Sequence, residues 1–419
     1  MLHPSKDIMF TKSRMLEGKK IALCICGSVA AIKAPDLARE LMRNGAEVFA
    51  IMSPSAQKLI SPTLLEWATG NPVITELTGK IEHVQLGGKG GVDLILIAPA
   101  TANTIGKIAA GIDDTPVTSL ATTAIGSGIP VMIAPVMHGS MYRHPLVSEN
   151  LKKLSSLGIK IIPPEIVEDK AKFPDISVIV EEVLSALSRK DMTGISVLVT
   201  AGPTRSYMDS IRFLTNSSSG KMGYAFAYEA SARGARVTLI SGPTNLANPR
   251  GANIVPVGTT EEMLEAVDNA LSKEKYDLFV MAAAPLDFAI VEKFDGKVPS
   301  TSELKLTLRP LPKIVDVARK KSKDLFIIGF KAEYNLTREE LFSRAMSRLL
   351  ESGMDLIVAN DLSSPLTGFK ADTDEVYILD KSGLVDHIPL SPKREVARRV
   401  LDLYLKRRGS NAVTSSHSS

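Results

Sequence analysis

One pattern occurs twice in this chain and leaves it little choice of architecture. After Lys19 and Lys20 an apolar run over 21–25 ends in the turn Gly27 and Ser28. Helical spacing follows at Leu37, Ala38, Leu41 and Met42, and Gly45 leads into a second apolar run ending at Ser53, Pro54 and Ser55. The pattern returns at 195–199, which ends at Ala201 and Gly202; after a longer loop, a helical run from Met222 is followed by Gly234 and a strand closing at Ser241 and Gly242. Each copy reads strand, phosphate-friendly turn, helix, strand, the signature of a parallel doubly wound sheet. The fold class expected is therefore α/β, with two doubly wound Rossmann-like domains. Short apolar runs at 93–98 and 130–134 continue the first sheet, and those at 277–281, 324–329 and 355–359 continue the second. Unbroken apolar runs of this length suit strands covered by helices on both faces. The boundary falls in 188–194, giving domains over 1–189 and 190–408, with a Ser-rich tail over 409–419 expected to be disordered. A β-hairpin is expected over 376–390, turning at Lys381, Ser382 and Gly383.

Composition narrows the function classes. A net charge of +4 over 419 residues is too small and dispersed to argue for nucleic acid, so Arg319, Lys320 and Lys321 read as solvated surface. The two cysteines, Cys24 and Cys26, share one face of one strand and read as reduced core thiols. No apolar run reaches the roughly 18 residues of a membrane span, and the first 20 residues are too polar for a signal peptide. A soluble, intracellular chain, placed in the cytoplasm, is the expectation.

Two sets of strand ends carry chemistry. In the second half, Ala201, Gly202, Pro203, Thr204 and Arg205 follow a strand, and Asn-Ser-Ser-Ser-Gly-Lys-Met-Gly at 216–223 enters a helix. A Gly/Ser loop at a helix start offers unpaired N–H groups and the positive end of the helix dipole, which suits a phosphate. In the first half, Gly27 and Ser28, Ser53 and Ser55, Pro99 with Thr101, Asn103 and Thr104, and residues 135–142 converge on one sheet edge. Hydroxyls and an amide gathered there suit a phosphate and a flat heterocycle. His83 stands just before the turn at 87–91, a Gly-rich stretch that reads as a flexible connection. Neither a dinucleotide fingerprint nor a Walker A sequence is present, so a plain dehydrogenase or P-loop NTPase is not expected.

At these residues a family resemblance appears. Gly27 and Ser28, His83 with Val84 and Leu86, 99–104, and Pro-x-Met-x-x-x-Met-Tyr at 135–142 resemble the FMN-dependent cysteine decarboxylases, which are flavodoxin-like flavoproteins. The motifs at 201–205, 216–223, 282–287, 296–299, 329–333 and 359–361 resemble phosphopantothenate–cysteine ligases. Their fusion in this order, over about 15–405, resembles the prokaryotic bifunctional coenzyme A biosynthesis proteins. His3, Pro4, Ser5 and Lys6, with Thr11, Lys12 and Ser13, are similar to archaeal members.

The resemblance implies two reactions. Nucleotide-dependent ligation, with CTP and Mg²⁺, joins cysteine to 4′-phosphopantothenate; decarboxylation with FMN as transient electron acceptor then gives 4′-phosphopantetheine. It assigns FMN to Gly27, Ser28, Ser53, Ser55, Pro99, Thr101, Asn103 and Met141, with His83 and His138 catalytic. It assigns the nucleotide to Met281, Ala282, Ala283, Asp287, Lys297, Pro312, Lys313, Ile314, Val315, Phe330 and Arg348. Asn216 would contact the reacting carbonyl, Lys297 would close over the nucleotide phosphates, and Ser218, Ser219, Gly220 and Lys221 would hold the substrate phosphate. Flavin-domain trimers and ligase-domain dimers, together a dodecamer, are implied likewise. Two departures stand out: His138 replaces the motif's asparagine (with Tyr142 for Trp), and the flap region 164–174 carries Glu165, Glu168, Asp169, Lys170 and Lys172 but no cysteine. Two other readings are a ligase with an inactive flavin domain and a flavin-binding regulatory protein.

Overall fold

The structure, a computed structural model, describes residues 3–298 and 303–415. The chain divides into two compact units, Met1–Ser188 and Arg189–Ser419. The first unit opens with β1 (Lys20–Ile25), α1 (Ala34–Arg43), β2 (Glu47–Met52), α2 (Pro62–Thr69), α3 (Glu82–Gly87) and β3 (Leu94–Ala100). Next come α4 (Ala102–Ala110), α5 (Pro116–Ser127), β4 (Val131–Pro135), β5 (Met137–His138), α6 (Gly139–Tyr142) and α7 (Pro145–Ser156). It closes with β6 (Lys160–Ile161), β7 (Glu165–Val167), β8 (Lys170–Lys172) and α8 (Ile176–Leu187).

Its main sheet has five parallel strands in the order β2-β1-β3-β4-β6. This is the flavodoxin-like order, and its direction reverses between β1 and β3. Every residue of β3 is buried, and so is every residue of β1 except Lys20, because both faces are covered. Leu23, Ile25 and Leu96 pack on one side with Leu37 and Leu41 of α1 and Val183 of α8. Cys24 and Ile97 pack on the other with Ile105 of α4 and Leu120 of α5.

The second unit begins with β9 (Ser196–Ala201), β10 (Arg205–Tyr207), β11 (Phe213–Thr215), α9 (Lys221–Ala232), β12 (Arg236–Ser241), β13 (Ala252–Pro256) and α10 (Thr260–Lys273). It continues with β14 (Leu278–Met281), β15 (Phe288–Ile290), β16 (Leu308–Pro310), α11 (Ile314–Lys321), β17 (Phe326–Glu333) and α12 (Arg338–Ser352). It ends with β18 (Leu356–Asp361), β19 (Thr373–Asp380), β20 (Gly383–Pro392) and α13 (Lys393–Ser415). Its eight-stranded sheet runs β13-β12-β9-β14-β17-β18-β19-β20. The first six are parallel in the Rossmann order, reversing between β9 and β14, and the last two extend the sheet antiparallel.

An aspartate before a strand is a recurring local device in both sheets. Asp93 accepts from Lys20 N, Asp277 from Ser196 N and Asp355 from Ile327 N, each at 2.8 Å. Each carboxylate satisfies an N–H at the start of the neighbouring strand, the first residue of β1 and of β9 and the second of β17.

The hairpin expected over 376–390 is β19 and β20. Two expectations are corrected. Residues 409–415, expected as a disordered tail, continue α13, and 416–419 lie outside the described residues. The Gly-rich stretch 87–91 is not an open connection but a tightly wound turn: Gly88 N donates to Val84 O at 2.9 Å and Gly91 N to Gly88 O at 3.0 Å. A Cβ on Gly91 would stand 2.2 Å from Leu86 O, so the winding itself demands glycine there.

Candidate functional site

In the first unit a cavity of about 580 Å³ opens at the β1/β3 reversal. Three strand ends build it: Gly27 and Ser28 after β1, Ser53 to Ser55 after β2, and Thr101 to Thr104 after β3, with Met137 and Met141 on a further side. Each turn is shaped by its own residues. A Cβ on Gly27 would lie 2.4 Å from Ser55 Cβ, so the two turns touch only because Gly27 has no side chain. Ser28 caps the following 3-10 turn through Ala30 N, and Thr101 caps α4 through Thr104 N. Pro99 is not in the lining; its carbonyl accepts from Cys26 N at 3.1 Å and ties the end of β1 to β3. The sole charged lining residue is Lys107, whose ammonium lies 2.6 Å from Asp114. Cys24 and Cys26 are free and fully buried; burial pushes the Cys26 thiol up to about 11 and Cys24 well above its ordinary range. Neither thiol ionises near neutral pH, which makes both inert as nucleophiles.

His83 sits in the first turn of α3, which packs against α5, whose N-cap Thr115 lines the cavity. His83 is not in the lining, yet its buried Nδ1 has no hydrogen-bond partner among the described residues. An unpaired buried ring nitrogen is costly, so it marks a place where a partner is missing. His138 is exposed on β5, opposite Lys170 in the pairing with β8. The flap is the β7–β8 hairpin, turned by Glu168 (φ 51) and Asp169 (φ 57). It is pinned by Gly139 N donating to Asp169 O at 2.7 Å and by Arg143 Nη1 at 2.5 Å from Asp169 Oδ1. The hydrogen bond from Arg143 holds the Asp169 carboxyl below its usual range.

The second unit has a cavity of about 540 Å³ beyond the ends of β14, β17 and β18, against the starts of α9 and α11. Its walls bring together Ser218, Ser219, Gly220 and Lys221 with Met281, Ala282, Ala283 and Asp287, and with Pro312, Lys313, Ile314, Val315, Phe330 and Arg348. Five basic residues (Lys221, Lys313, Lys331, Arg348, Lys393) face three acidic ones (Asp287, Glu351, Asp374) in this lining, an excess suited to a polyanion. Asp287 Oδ1 accepts from Lys313 Nζ at 2.5 Å. Gly220, at φ 81, caps α9 and has no side chain to offer it; the first N–H of the helix, that of Lys221, donates to Ser219 Oγ at a long 3.4 Å.

Residues 9–188 match the family described as Flavoprotein, and 192–407 match the DNA/pantothenate metabolism flavoprotein C-terminal domain. The coenzyme A biosynthesis bifunctional protein CoaBC of Thermococcus kodakarensis is 50% identical, the match covering 96% of this chain and 98% of that protein. The chain belongs to the bifunctional coenzyme A biosynthesis proteins. The CoaBC of Methanocaldococcus jannaschii is 39% identical over 96% of this chain and 97% of its own. A crystal structure of the C-terminal domain of a CoaBC is 32% identical, covering 53% of this chain and 99% of its own, with a TM-score of 0.45.

For a member of this family, some expected residues stand apart from the cavities. Asn216 is not in the lining; its Nδ2 donates to Ala284 O at 3.0 Å and Pro285 O at 3.1 Å. Both protons of the amide are thereby engaged, and reaching an acyl oxygen means releasing one. Lys297 is exposed, outside the lining, and Pro299 of its motif lies outside the described residues. Asp209 organises the Lys297 loop: it accepts from Ile211 N, Arg212 N, Arg212 Nε and Val298 N, at 2.6 to 3.2 Å. Those bonds, led by Arg212 N, hold the Asp209 carboxyl far below its usual range.

Sequence reasoning missed a buried polar triad in the second cavity. Asn360 Nδ2 donates to both oxygens of Asp374, at 3.1 and 3.2 Å, and Lys393 Nζ donates to Gly368 O, Phe369 O and Ala371 O at 3.2, 3.4 and 2.6 Å. Burial pushes the Asp374 carboxyl up to about 7, against the pull of Lys393 and Asn360. One signal was present: α13 opens on Lys393 and Arg394, cations at the helix end where the dipole disfavours them.

Proposed function

We propose that the second unit ligates cysteine to 4′-phosphopantothenate and the first decarboxylates the adduct to 4′-phosphopantetheine. The observation that carries this is the pairing, in one member of the family, of two strand-end cavities with complementary donor sets: neutral hydroxyls in one, excess cations in the other. In the ligase half the substrate carboxylate attacks the α-phosphorus of CTP, releasing pyrophosphate, and the amine of cysteine then displaces CMP from the acyl carbon. We assign the basic wall of Lys313, Lys331 and Arg348 to the triphosphate, with Mg²⁺ as its counter-ion, and Phe330, Ile314 and Val315 to the base. Ser218, Ser219, Gly220 and Lys221 would hold the substrate phosphate at the start of α9. Asn216 fixes the wall at 284–285 and is the donor nearest in sequence to the phosphate loop for the acyl oxygen. Lys297 would approach the phosphates from its exposed loop.

The first cavity fits FMN by its donor set. Ser28, Ser53, Ser55, Thr101 and the start of α4 offer donors to a phosphate, and Met137 and Met141 offer an apolar contact to a ring. When bound, the flavin supplies a reversible electron acceptor for the substrate sulfur, so that carbon dioxide can leave. His83 would hold or pass the proton at its unpaired Nδ1, and His138 would grip the substrate carboxylate beside the flap. Among the described residues no helix is long and apolar enough to cross a membrane; we place the enzyme in the cytoplasm as a homo-oligomer.

Purified protein incubated with 4′-phosphopantothenate, cysteine, CTP and Mg²⁺ tests the reading. Pyrophosphate, carbon dioxide and 4′-phosphopantetheine are expected, with CTP used in preference to ATP. Accumulation of the cysteine adduct alone identifies a ligase with an inactive flavin domain. No turnover from a yellow protein identifies a flavin-binding regulator.

A further inference from the structure

The segment between β18 and β19 folds back onto the start of α9. Ser219 Oγ donates to Phe369 O at 2.5 Å. Lys221 Nζ donates to Lys370 O at 2.7 Å and to Asp372 Oδ1 at 2.6 Å. Two side chains assigned to the substrate phosphate are thus already engaged by the protein, while the backbone end of α9 has only the long bond from Lys221 N to Ser219 Oγ, at 3.4 Å. The segment itself is firmly tied. Lys393 Nζ donates to three of its carbonyls, Lys393 N donates to Asp372 O at 3.0 Å, and Thr367 Oγ1 donates to Asp361 O at 2.6 Å. The outermost tie is the one that can yield: the Asp372 side chain is 88% exposed, against 31% for Lys221. Lys221 lines the cavity and Asp372 does not, so the carboxylate draws the ammonium toward the rim.

We infer that Asp372 is an internal stand-in for the substrate phosphate, a competing anion that holds and positions Lys221 until the phosphate takes it. The inference rests on the assignment of 218–221 to that phosphate. A phosphate carries more charge than a carboxylate and takes bonds from Lys221 and the N–H groups of α9 together, which an aspartate outside the cavity cannot do. An exposed ion pair is weak and yields readily. Pantothenate lacks the group that displaces Asp372, so the cost of the exchange falls on the phosphorylated substrate alone, as a difference between two pairings of one lysine.

The test is D372N, chosen because an exposed side chain can change without disturbing the fold. Ligase rates are measured against 4′-phosphopantothenate, with pantothenate as a competitive inhibitor. Because an exposed pair contributes little, KM for 4′-phosphopantothenate should fall about two- to fivefold, with kcat and the pantothenate inhibition constant unchanged. The gap between variant and wild type should narrow as salt is raised. An unchanged KM overturns the inference, and a raised one shows that Asp372 orients Lys221 for the phosphate. K221M separates this from failure of the underlying assignment: if K221M leaves KM unaltered, 218–221 is not the phosphate site. If K221M raises KM while D372N does not lower it, only the role of Asp372 falls.

Discussion

The two cavities lie at the same end of their strands and differ in what fills their walls. Each lies beyond the C-terminal ends of parallel strands, at the β1/β3 reversal in the first unit and over the ends of β14, β17 and β18, against the start of α9, in the second. The first offers hydroxyls, one amide, two methionines and a lysine already paired with Asp114. The second carries eight ionisable side chains, five of them basic, among them the buried Asp374 and Lys393. Neutral donors suit a group that stays bound, because no buried charge is stranded while the site fills. Cations held by exchangeable partners, such as Lys221 by Asp372 and Lys313 by Asp287, suit polyanions that bind and leave. The topology therefore fixes where the ligands sit, and the side chains at the strand ends separate a resident cofactor from a consumed one.

The comparison breaks if a change in one cavity alters the chemistry of the other. His83→Ala should have the largest effect, a loss of about 10²- to 10⁴-fold in decarboxylation of the isolated adduct. Ligation, followed as pyrophosphate release, and the flavin spectrum should stay at wild-type levels. Normal carbon dioxide release from this variant would remove His83 from the chemistry and leave its unpaired nitrogen unexplained. Asn216→Ala should lower kcat of ligation by about 10²- to 10³-fold through loss of a preorganised amide. Decarboxylation of supplied adduct should be untouched. Equal damage to both reactions would show that the two halves do not work separately.

How much of this was legible in the sequence follows from the range over which each residue acts. The sheets were legible because strands buried on both faces leave unbroken apolar runs, and the strand ends of the first cavity were legible because Ser and Thr caps sit beside those runs. His83 was singled out, but its place beside α5 depends on packing that no local pattern records. The engaged state of Asn216 is set by carbonyls 68 and 69 residues away. Asp374 and Lys393 reach the cavity only because β19 and β20 return antiparallel and deliver the start of α13 there. A hairpin can be foreseen from its turn; which end of it meets a cavity cannot. Lys393 alone left a local trace, by standing against the helix dipole.

A smaller effect sharpens the first cavity. Gly27→Val should weaken flavin retention about tenfold or more, because the new side chain must push back the Ser53–Ser55 turn, an overpacking penalty of about 1–3 kcal/mol. Flavin absorbance per protein after dialysis reads this directly, and ligation should not change. A fully yellow Gly27→Val protein would show that the contact between the two turns has no part in holding the flavin.

The smallest expected effect belongs to the second cavity and is seen as a pH dependence. Burial raises the Asp374 carboxyl to about 7, whereas an aspartate in the unfolded chain titrates at about 3.9. Between these values the folded state keeps a proton that the unfolded chain has lost, so stability falls as pH rises through the window. The contribution is complete below the unfolded value and is lost on passing the folded one. Glu229, also raised to about 7 by burial, pulls the same way, but it is present in both proteins and cancels in a comparison of wild type with Asp374→Asn. Urea unfolding at pH 7 and pH 5 should therefore show wild type gaining on the variant by about 1–2 kcal/mol on acidification. A difference that stays constant, or that grows toward pH 7, would mean that Asp374 is held ionised by Lys393 throughout. The triad would then be a permanent ion pair anchoring the segment over α9, with its proton playing no part.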